Sequence, residues 1–266
     1  MPWASGTWRT QLRPIEDQGY IIPAWNVGGV DYVDCARTLA KTILQHDSSA
    51  RICLLTNEPY AAEPALFAYT HVVEDINTNN PWANDWMVFS KTPFRETIKL
   101  EADMVIATPI AHWWDLFRHR DVVVSTGCRS WQDRVSTARN YRRCFDDNHL
   151  PDVYNAITYW RLSPTAKEFF DLVRDIFANW SEFRKLIKFP EDVPSTDLVY
   201  AMAAEIMSPE RVTMPFTEYP QIVHMKRHHA GTDTEDWMQE LTWEGDPYRI
   251  NTIAQWGAVH YRANRK

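Results

Sequence analysis

The chain has 266 residues, of which 45% are hydrophobic, and its formal net charge is -7. This length and apolar content suffice for one sizeable core, so we expect a single domain over residues 1–266. The acidic balance argues against a nucleic-acid packaging protein. No apolar run approaches the length of a membrane span, no secretory signal opens the chain, and the cysteines are scattered. We therefore expect a cytoplasmic protein with reduced thiols and no membrane partner.

Strand and helix patterns alternate in the first half of the chain. Short runs of apolar and β-branched residues predict strands, and Asp31 and Pro109 stand where helices would begin. This alternation is typical of a Rossmann-like α/β half. The predicted strands cover residues 20–25, 52–55, 71–76, 97–100 and 122–124.

The second half is more mixed. A strand is predicted over residues 153–161, and Ser163-Pro164 begins a helix whose apolar residues form one stripe. Ser195 can cap a further helix, and residues 221–225 predict a short strand. No internal repeat, linker or low-complexity tract divides the chain, which favours one compact body.

Two acids spaced two apart, Glu101 and Asp103, follow the strand predicted at 97–100. On an extended strand, this spacing would point both carboxylates the same way. The carboxyl end of a strand in a mainly parallel sheet opens onto the crevice where such sheets bind ligands. The pair therefore predicts a site for a divalent cation and a phosphate.

The string Glu101-Ala102-Asp103 resembles the acidic Asp-x-Asp motif of GT-A nucleotide-sugar glycosyltransferases, most closely the glycogenin-like branch, with Glu101 replacing the first Asp. The resemblance covers roughly residues 19 to 230. It implies a Rossmann-type mixed, mainly parallel sheet flanked by helices. Residues 19–125 would form the nucleotide-binding half, and residues 126–266 the acceptor-side half with a C-terminal segment.

The resemblance also implies an activity. The chain would be a hexosyl- or pentosyltransferase that uses Mn²⁺ or Mg²⁺ and moves a sugar from a nucleotide-diphosphate sugar to an acceptor hydroxyl. A UDP-sugar is the implied donor, and similarity to the glycogenin-like branch suggests retention of the anomeric configuration. The basic residue that this branch places before its motif is not matched, because the region here is Asn84-Asp85-Trp86.

Site residues follow from the same resemblance. The first strand and turn would contact the donor, Asn155 would lie on the acceptor side, and Asp197 beside the reacting sugar. His224 would complete the metal site of Glu101 and Asp103, with His260 as its rival. Residues that would bind the donor are Ala24, Trp25, Asn26, Tyr32 and Lys226.

An arginine-rich tract runs from residue 129 to residue 143. Local positive charge in an acidic chain indicates a polyanionic partner, which can be the donor diphosphate or a nucleic-acid backbone. Trp131 and Tyr141 interleave the arginines, as a base-stacking surface would require. In this the chain resembles the glycosyltransferases with which bacteriophages decorate hydroxymethylated DNA bases, in the host cytoplasm. The predicted DNA contacts are Arg134, Arg139, Arg142 and Arg143.

Other functions and structural roles remain open from the sequence. A nucleotidyltransferase acting on sugar phosphates shares the α/β layout, but Asn26-Val27-Gly28-Gly29 lacks the basic residues of a phosphate loop. A non-catalytic nucleic-acid or carbohydrate binder would make Glu101 and Asp103 ordinary surface acids. Asp197 can serve as a first-turn acid, Asn155 as a hydrogen-bonding residue within the sheet, and His224 as a structural histidine. The arginines can also form a solvated surface.

Overall fold

The computed structural model describes residues 16–136, 142–214, 222–224, 241–242, 248–250 and 252–261. At 135–136, 142, 223–224 and 241–242 the backbone alone is described. None of the helices in these ranges combines the length and the apolar character that crossing a bilayer requires.

Helices fall between strands in the first half of the chain, as the patterns predicted, and the second half is more mixed. The strands are β1 Glu16–Ala24, β2 Ile52–Thr56, β3 Tyr69–Val72, β4 Phe94–Leu100, β5 Met104–Ile106, β6 Val122–Thr126, β7 Cys128–Arg129, β8 Val135–Ser136, β9 Val153–Arg161, β10 Ile222–His224, β11 Leu241–Thr242, β12 Arg249–Ile250, β13 Ile253–Ala254 and β14 Ala258–His260. The helices are α1 Tyr32–His46, α2 Met87–Lys91, α3 His112–Phe117, α4 Arg142–Asp147, α5 Pro164–Ala178, α6 Trp180–Leu186, α7 Thr196–Ile206 and α8 Pro209–Val212.

A six-stranded sheet in the order β3-β2-β1-β4-β9-β6 forms the centre. The pairs β3/β2, β2/β1 and β1/β4 are parallel, whereas β9 runs antiparallel to both of its neighbours. The sheet is therefore mixed and mainly parallel, and helices cover it, which confirms this coarser part of the expected fold. β9 comes from the second half of the chain and lies between two strands of the first half.

Alternating side chains of β1 explain why the sheet has helices on both faces. Tyr20 and Ile22 pack in one cluster with apolar residues of α1 and α3. Ile21 points the other way and packs in a second cluster with α5 and α7. Because successive residues of a strand face opposite sides, a strand that is apolar throughout must be buried on both.

Local capping fixes the helices at the predicted positions. The Asp31 carboxylate accepts the Asp34 amide at 3.0 Å at the start of α1. Ser163 accepts the Ala166 amide at 3.1 Å at the start of α5. Ser195 caps α7 in the same way. Each side-chain oxygen satisfies an amide that the helix itself leaves without a partner.

Several predicted boundaries were wrong. The strands predicted from residues 20 and 97 begin earlier, at Glu16 and Phe94. The third strand covers Tyr69–Val72 and not residues 71–76, because regular pairing with β2 ends at the Thr56–Val72 register pair. The helix expected from Pro109 begins at His112, after a short turn.

A smaller second sheet follows the central one, in the order β5-β14-β10-β7-β8. Its first strand, β5, comes directly after β4 and the turn at residues 101–103. β14 lies antiparallel to β5 and parallel to β10. β11, β12 and β13 form a third, antiparallel sheet. The turn at 101–103 is thus the junction between the two larger sheets.

Candidate metal centre and its surroundings

Two acids and a histidine converge at the carboxyl edge of the central sheet, the edge at which β1, β2 and β4 end. His260 Nε2 lies 3.1 Å from Asp103 Oδ1 and 3.2 Å from Glu101 Oε2. One ligand atom from each of the three residues lies within 4.8 Å of the other two. In the described part of the chain, this is the one cluster of at least three His, Cys, Asp or Glu side chains close enough to share a metal ion.

The junction between the two sheets explains why these residues meet. The pairing of β14 with β5 sets His260 opposite Met104, immediately after the acidic turn. The Tyr261 amide also donates to the Asp103 carbonyl at 3.0 Å. We expected an extended strand to align the two carboxylates, and this was wrong: residues 101–103 form a turn, because the chain leaves the central sheet there.

The imidazole ring of His260 is held in orientation by a tyrosine. The hydroxyl of Tyr154, a buried residue of β9, lies 3.3 Å from His260 Nδ1. The other ring nitrogen, Nε2, is the one that reaches both acids. A partner on one nitrogen of a histidine fixes which nitrogen is presented to a metal.

Several charges act on Glu101. Burial raises the pKa of its carboxyl, and the charges of His260 and Lys99 oppose this shift, while the carboxylates of Asp103 and Asp197 add to it. The upward direction means that the ionised form of Glu101 is disfavoured where it lies. A cation bound among these acids would favour the ionised form.

Beneath the acids, the fully buried ammonium group of Lys99 meets the carboxylate of Asp85. Lys99 Nζ lies 3.1 Å from Asp85 Oδ1, and it donates to the Asn155 carbonyl at 3.1 Å. Asp85 Oδ2 also accepts from Asn155 Nδ2 at 3.2 Å and from the Tyr200 hydroxyl. The Asp85 carboxylate therefore connects β4, β9 and α7.

The two residues assigned to catalysis by resemblance lie at this same edge. Asn155 is fully buried in β9, and its backbone amide donates to Asp197 Oδ1 at 2.8 Å. Asp197 is half-buried in the first turn of α7. β9 runs antiparallel to β4, so its beginning lies beside the end of β4, where the Glu101 amide donates to the Ala156 carbonyl.

Four of the residues predicted to contact the donor lie at the end of β1 or after it, at the same edge. Ala24 and Trp25 are buried, and Tyr32, at the start of α1, is half-buried. The Asn26 side chain accepts the Val33 amide at 3.1 Å, so it holds the loop against α1. Two glycines of this loop, Gly28 and Gly29, have positive φ angles and open space beside their Cα atoms.

Two assignments of the resemblance lie outside what the structure describes. His224 has a described backbone, which pairs with His260 across β10 and β14, but its side chain is outside the described residues. Lys226 is also outside them. Their roles as metal ligand and diphosphate contact stay predictions.

The described part of the arginine-rich tract is less exposed than its sequence indicated. Arg129 is 1% exposed, contacts the Trp256 ring at 3.6 Å and pairs with Asp133, and burial lowers its pKa to about 10. Trp131 is buried, so the prediction that it stacks on bases is wrong. Arg134 is exposed, and Arg143 is exposed and pairs with Asp147 at 3.2 Å. Outside the described residues lie Arg139, Tyr141 and the side chain of Arg142.

Sequence patterns missed most of the polar residues beneath the acids. Lys99 carries a detectable signal, a charged residue within the apolar strand run Thr97–Leu100. A charge in a buried strand requires a partner. Nothing in the sequence indicated which partner, because Asp85 and Tyr200 come from distant segments.

Neither the models of known protein families nor the curated proteins include a match to this chain.

Proposed function

We propose that this chain is a metal-dependent glycosyltransferase that moves a sugar from a nucleotide-diphosphate sugar, most simply a UDP-sugar, to an acceptor hydroxyl. The observation that carries the proposal is the convergence of Glu101, Asp103 and His260 at the carboxyl edge of a mainly parallel sheet. This edge is where open α/β sheets bind their ligands. The loop after β1, to which the resemblance assigns the donor, leaves the same edge.

The three residues suit a divalent metal. Carboxylate oxygens are ligands for both Mg²⁺ and Mn²⁺, and an imidazole favours Mn²⁺ over Mg²⁺. Glu101, Asp103 and His260 would hold the ion. When bound there, the ion would supply a Lewis acid that neutralises the leaving diphosphate.

The remaining polar residues of the site support the same chemistry. Tyr154 orients the imidazole, and Lys99 adds a fixed positive charge beneath the acids. Asp197 would lie beside the reacting sugar. The Asn155 side chain is engaged by Asp85 and by Thr158, which donates to its Oδ1 at 2.7 Å, so Asn155 would act mainly by holding its neighbours.

For the acceptor, a hydroxymethylated base of phage DNA is the proposal that the arginine tract suggests. The surface charge at Arg134 and Arg143 supports it, whereas Arg129 and Trp131 are buried. The proposed transfer of a sugar does not depend on this acceptor.

The decisive experiment measures thermal unfolding with UDP, GDP and ADP, each with and without Mn²⁺. A nucleotide at about 100 times its Kd should stabilise the protein by about 2.7 kcal/mol, a rise in Tm on the order of 5–10 °C. We expect this rise with UDP only when Mn²⁺ is present. Asp103→Asn should abolish it without unfolding the protein.

Asp17→Asn is the matched control, because Asp17 lies at the opposite end of β1 and its side chain is 94% exposed. It should retain the full rise in Tm. An unchanged rise in Asp103→Asn would contradict the metal assignment. A metal-dependent rise without Mn²⁺-dependent hydrolysis of UDP-glucose, UDP-galactose and other UDP-sugars would favour a binding protein over an enzyme.

A further inference from the structure

The buried Lys99–Asp85 ion pair also forms hydrogen bonds to residues of other helices and strands. The Asp85 carboxylate receives the Lys99 ammonium from β4, the Asn155 side-chain amide from β9 and the Tyr200 hydroxyl from α7. Burial raises the pKa of Tyr200 well above its ordinary value, and the neighbouring Asp85 carboxylate adds to this shift. Tyr200 therefore stays a hydrogen-bond donor.

Such a pair is poorly explained by stability alone. Moving two charges out of water costs several kcal/mol per ion, and apolar side chains of similar volume often stabilise a core equally well. What the charged groups add is direction, because hydrogen bonds to a carboxylate fix the positions of their donors. The Asp85 carboxylate therefore fixes the positions of the Lys99, Asn155 and Tyr200 side chains.

The contacts lead to Asp197 by two routes. Tyr200 lies three residues after Asp197 in α7, and residues at this spacing share one face of a helix. Asn155 donates its side-chain amide to Asp85 at 3.2 Å and its backbone amide to Asp197 at 2.8 Å. Asp85 therefore contacts both the helix that carries Asp197 and the residue that binds its carboxylate.

We propose that Asp85, Lys99 and Tyr200 form a positioning clamp that fixes the Asp197 carboxylate relative to the Glu101–Asp103–His260 group. None of the three clamp residues needs to touch substrate or metal. The catalytic purpose of the clamp rests on the proposed function, whereas the mechanical link to Asp197 does not.

Tyr200→Phe is the sharpest variant, because it removes one hydrogen bond to Asp85 and keeps the ring. Tyr159→Phe is its matched control, since Tyr159 is equally buried in β9 and its hydroxyl has no hydrogen-bond partner among the described residues. Both variants should fold. For the hydrolysis of a UDP-sugar, Tyr200→Phe should lower kcat at least tenfold, with KM and the Mn²⁺-dependent rise in Tm by UDP unchanged. Tyr159→Phe should retain kcat.

An equal kcat in the two variants would overturn the clamp. So would a Tyr200→Phe variant that loses donor binding together with turnover, because its role would then be general folding of the site. Lys99→Arg should not restore kcat in Tyr200→Phe, since the missing contact comes from α7.

A second measurement separates this inference from the proposed function. If the wild-type protein shows neither Mn²⁺-dependent stabilisation nor hydrolysis, the proposed function fails, and a double-mutant cycle still tests the clamp. The Tm is measured for Tyr200→Phe, Asp197→Asn and the double variant. A linked pair gives a double variant whose loss in Tm is smaller than the sum of the single losses. Losses that simply add would overturn the link.

Discussion

Charged side chains are arranged differently at the two ends of the central sheet. At the amino edge, where β1, β2 and β4 begin, acids meet arginines in partly exposed pairs: Arg51 binds Glu16 at 2.7 Å, and Arg118 binds Glu96 at 2.7 Å. At the carboxyl edge, four carboxylates lie close together. Among the described residues, the basic groups in contact with them are the Lys99 ammonium and the His260 imidazole. These carboxylates belong to Asp85, Glu101, Asp103 and Asp197.

The two ends therefore differ in their electrostatics. Exposed pairs at the amino edge are screened by water and each contributes at most about 1 kcal/mol, so they keep the surface neutral at little cost. At the carboxyl edge, several acids share a partly buried space, and burial raises the pKa of the Glu101 carboxyl, which disfavours its ionised form. A cation bound among acids grouped in this way would be stabilised by their charge.

Removing one cation from each end gives the largest contrast. Lys99→Met should lower the free energy of unfolding by about 3–5 kcal/mol, because it leaves the Asp85 carboxylate buried without its counter-charge. Arg51→Met should lower it by about 1 kcal/mol or less, since Glu16 regains water. Urea unfolding of both variants measures this difference.

Equal losses in the two variants would break the comparison. High salt provides an independent control: it should weaken the contribution of Arg51 and leave that of Lys99 nearly unchanged, because buried pairs are screened less.

The histidines of the second sheet sharpen the comparison at the carboxyl edge. His260→Ala should weaken Mn²⁺ affinity by about tenfold or more in the presence of UDP, since it removes the nitrogen that lies near both acids. His224→Ala should have the smaller effect, which calorimetric titration with Mn²⁺ can measure. The reverse order would return the ligand role to His224, as the family resemblance assigned it.

The smallest expected effect concerns DNA. An acid-rich carboxyl edge repels a phosphate backbone, so any DNA must be held by arginines outside that edge. Replacing Arg139, Arg142 and Arg143 with Ala should reduce the slope of log affinity against log salt by up to about 2.7, because each neutralised duplex phosphate contributes about 0.9. Fluorescence anisotropy of a labelled duplex measures this slope.

The same triple variant should retain its Mn²⁺-dependent stabilisation by UDP. If it loses that stabilisation and keeps its DNA affinity, the tract belongs to the donor site and the DNA proposal loses its main support.

Local signals predicted much of the fold. The strand at Val153–Arg161 and the helix beginning at Pro164 have the predicted limits, because an apolar run and a Ser-Pro start are decided within a few residues. The second sheet was harder, since strands such as β5 and β14 have three residues each and too short a pattern to identify.

The site was predictable only in part. Glu101 and Asp103 follow a recognisable strand, so their position at a sheet edge could be inferred. His260 could be named only as a rival, because its place depends on how two three-residue strands pair. The Lys99–Asp85 contact joins residues 14 apart. A helix and most of a strand, α2 and β4, lie between them, so no single periodic pattern describes the contact.

The pairing of β5 with β14 has a consequence for how the protein is made. Asp103 and His260 are 157 residues apart in the chain. During translation, Glu101 and Asp103 are therefore synthesised well before His260. Closing a loop of this length costs about 4–5 kcal/mol of chain entropy beyond a constant term. The proposed metal site would therefore form only after β14 has paired with β5. Metal uptake would then accompany completion of the fold and oppose detachment of that strand.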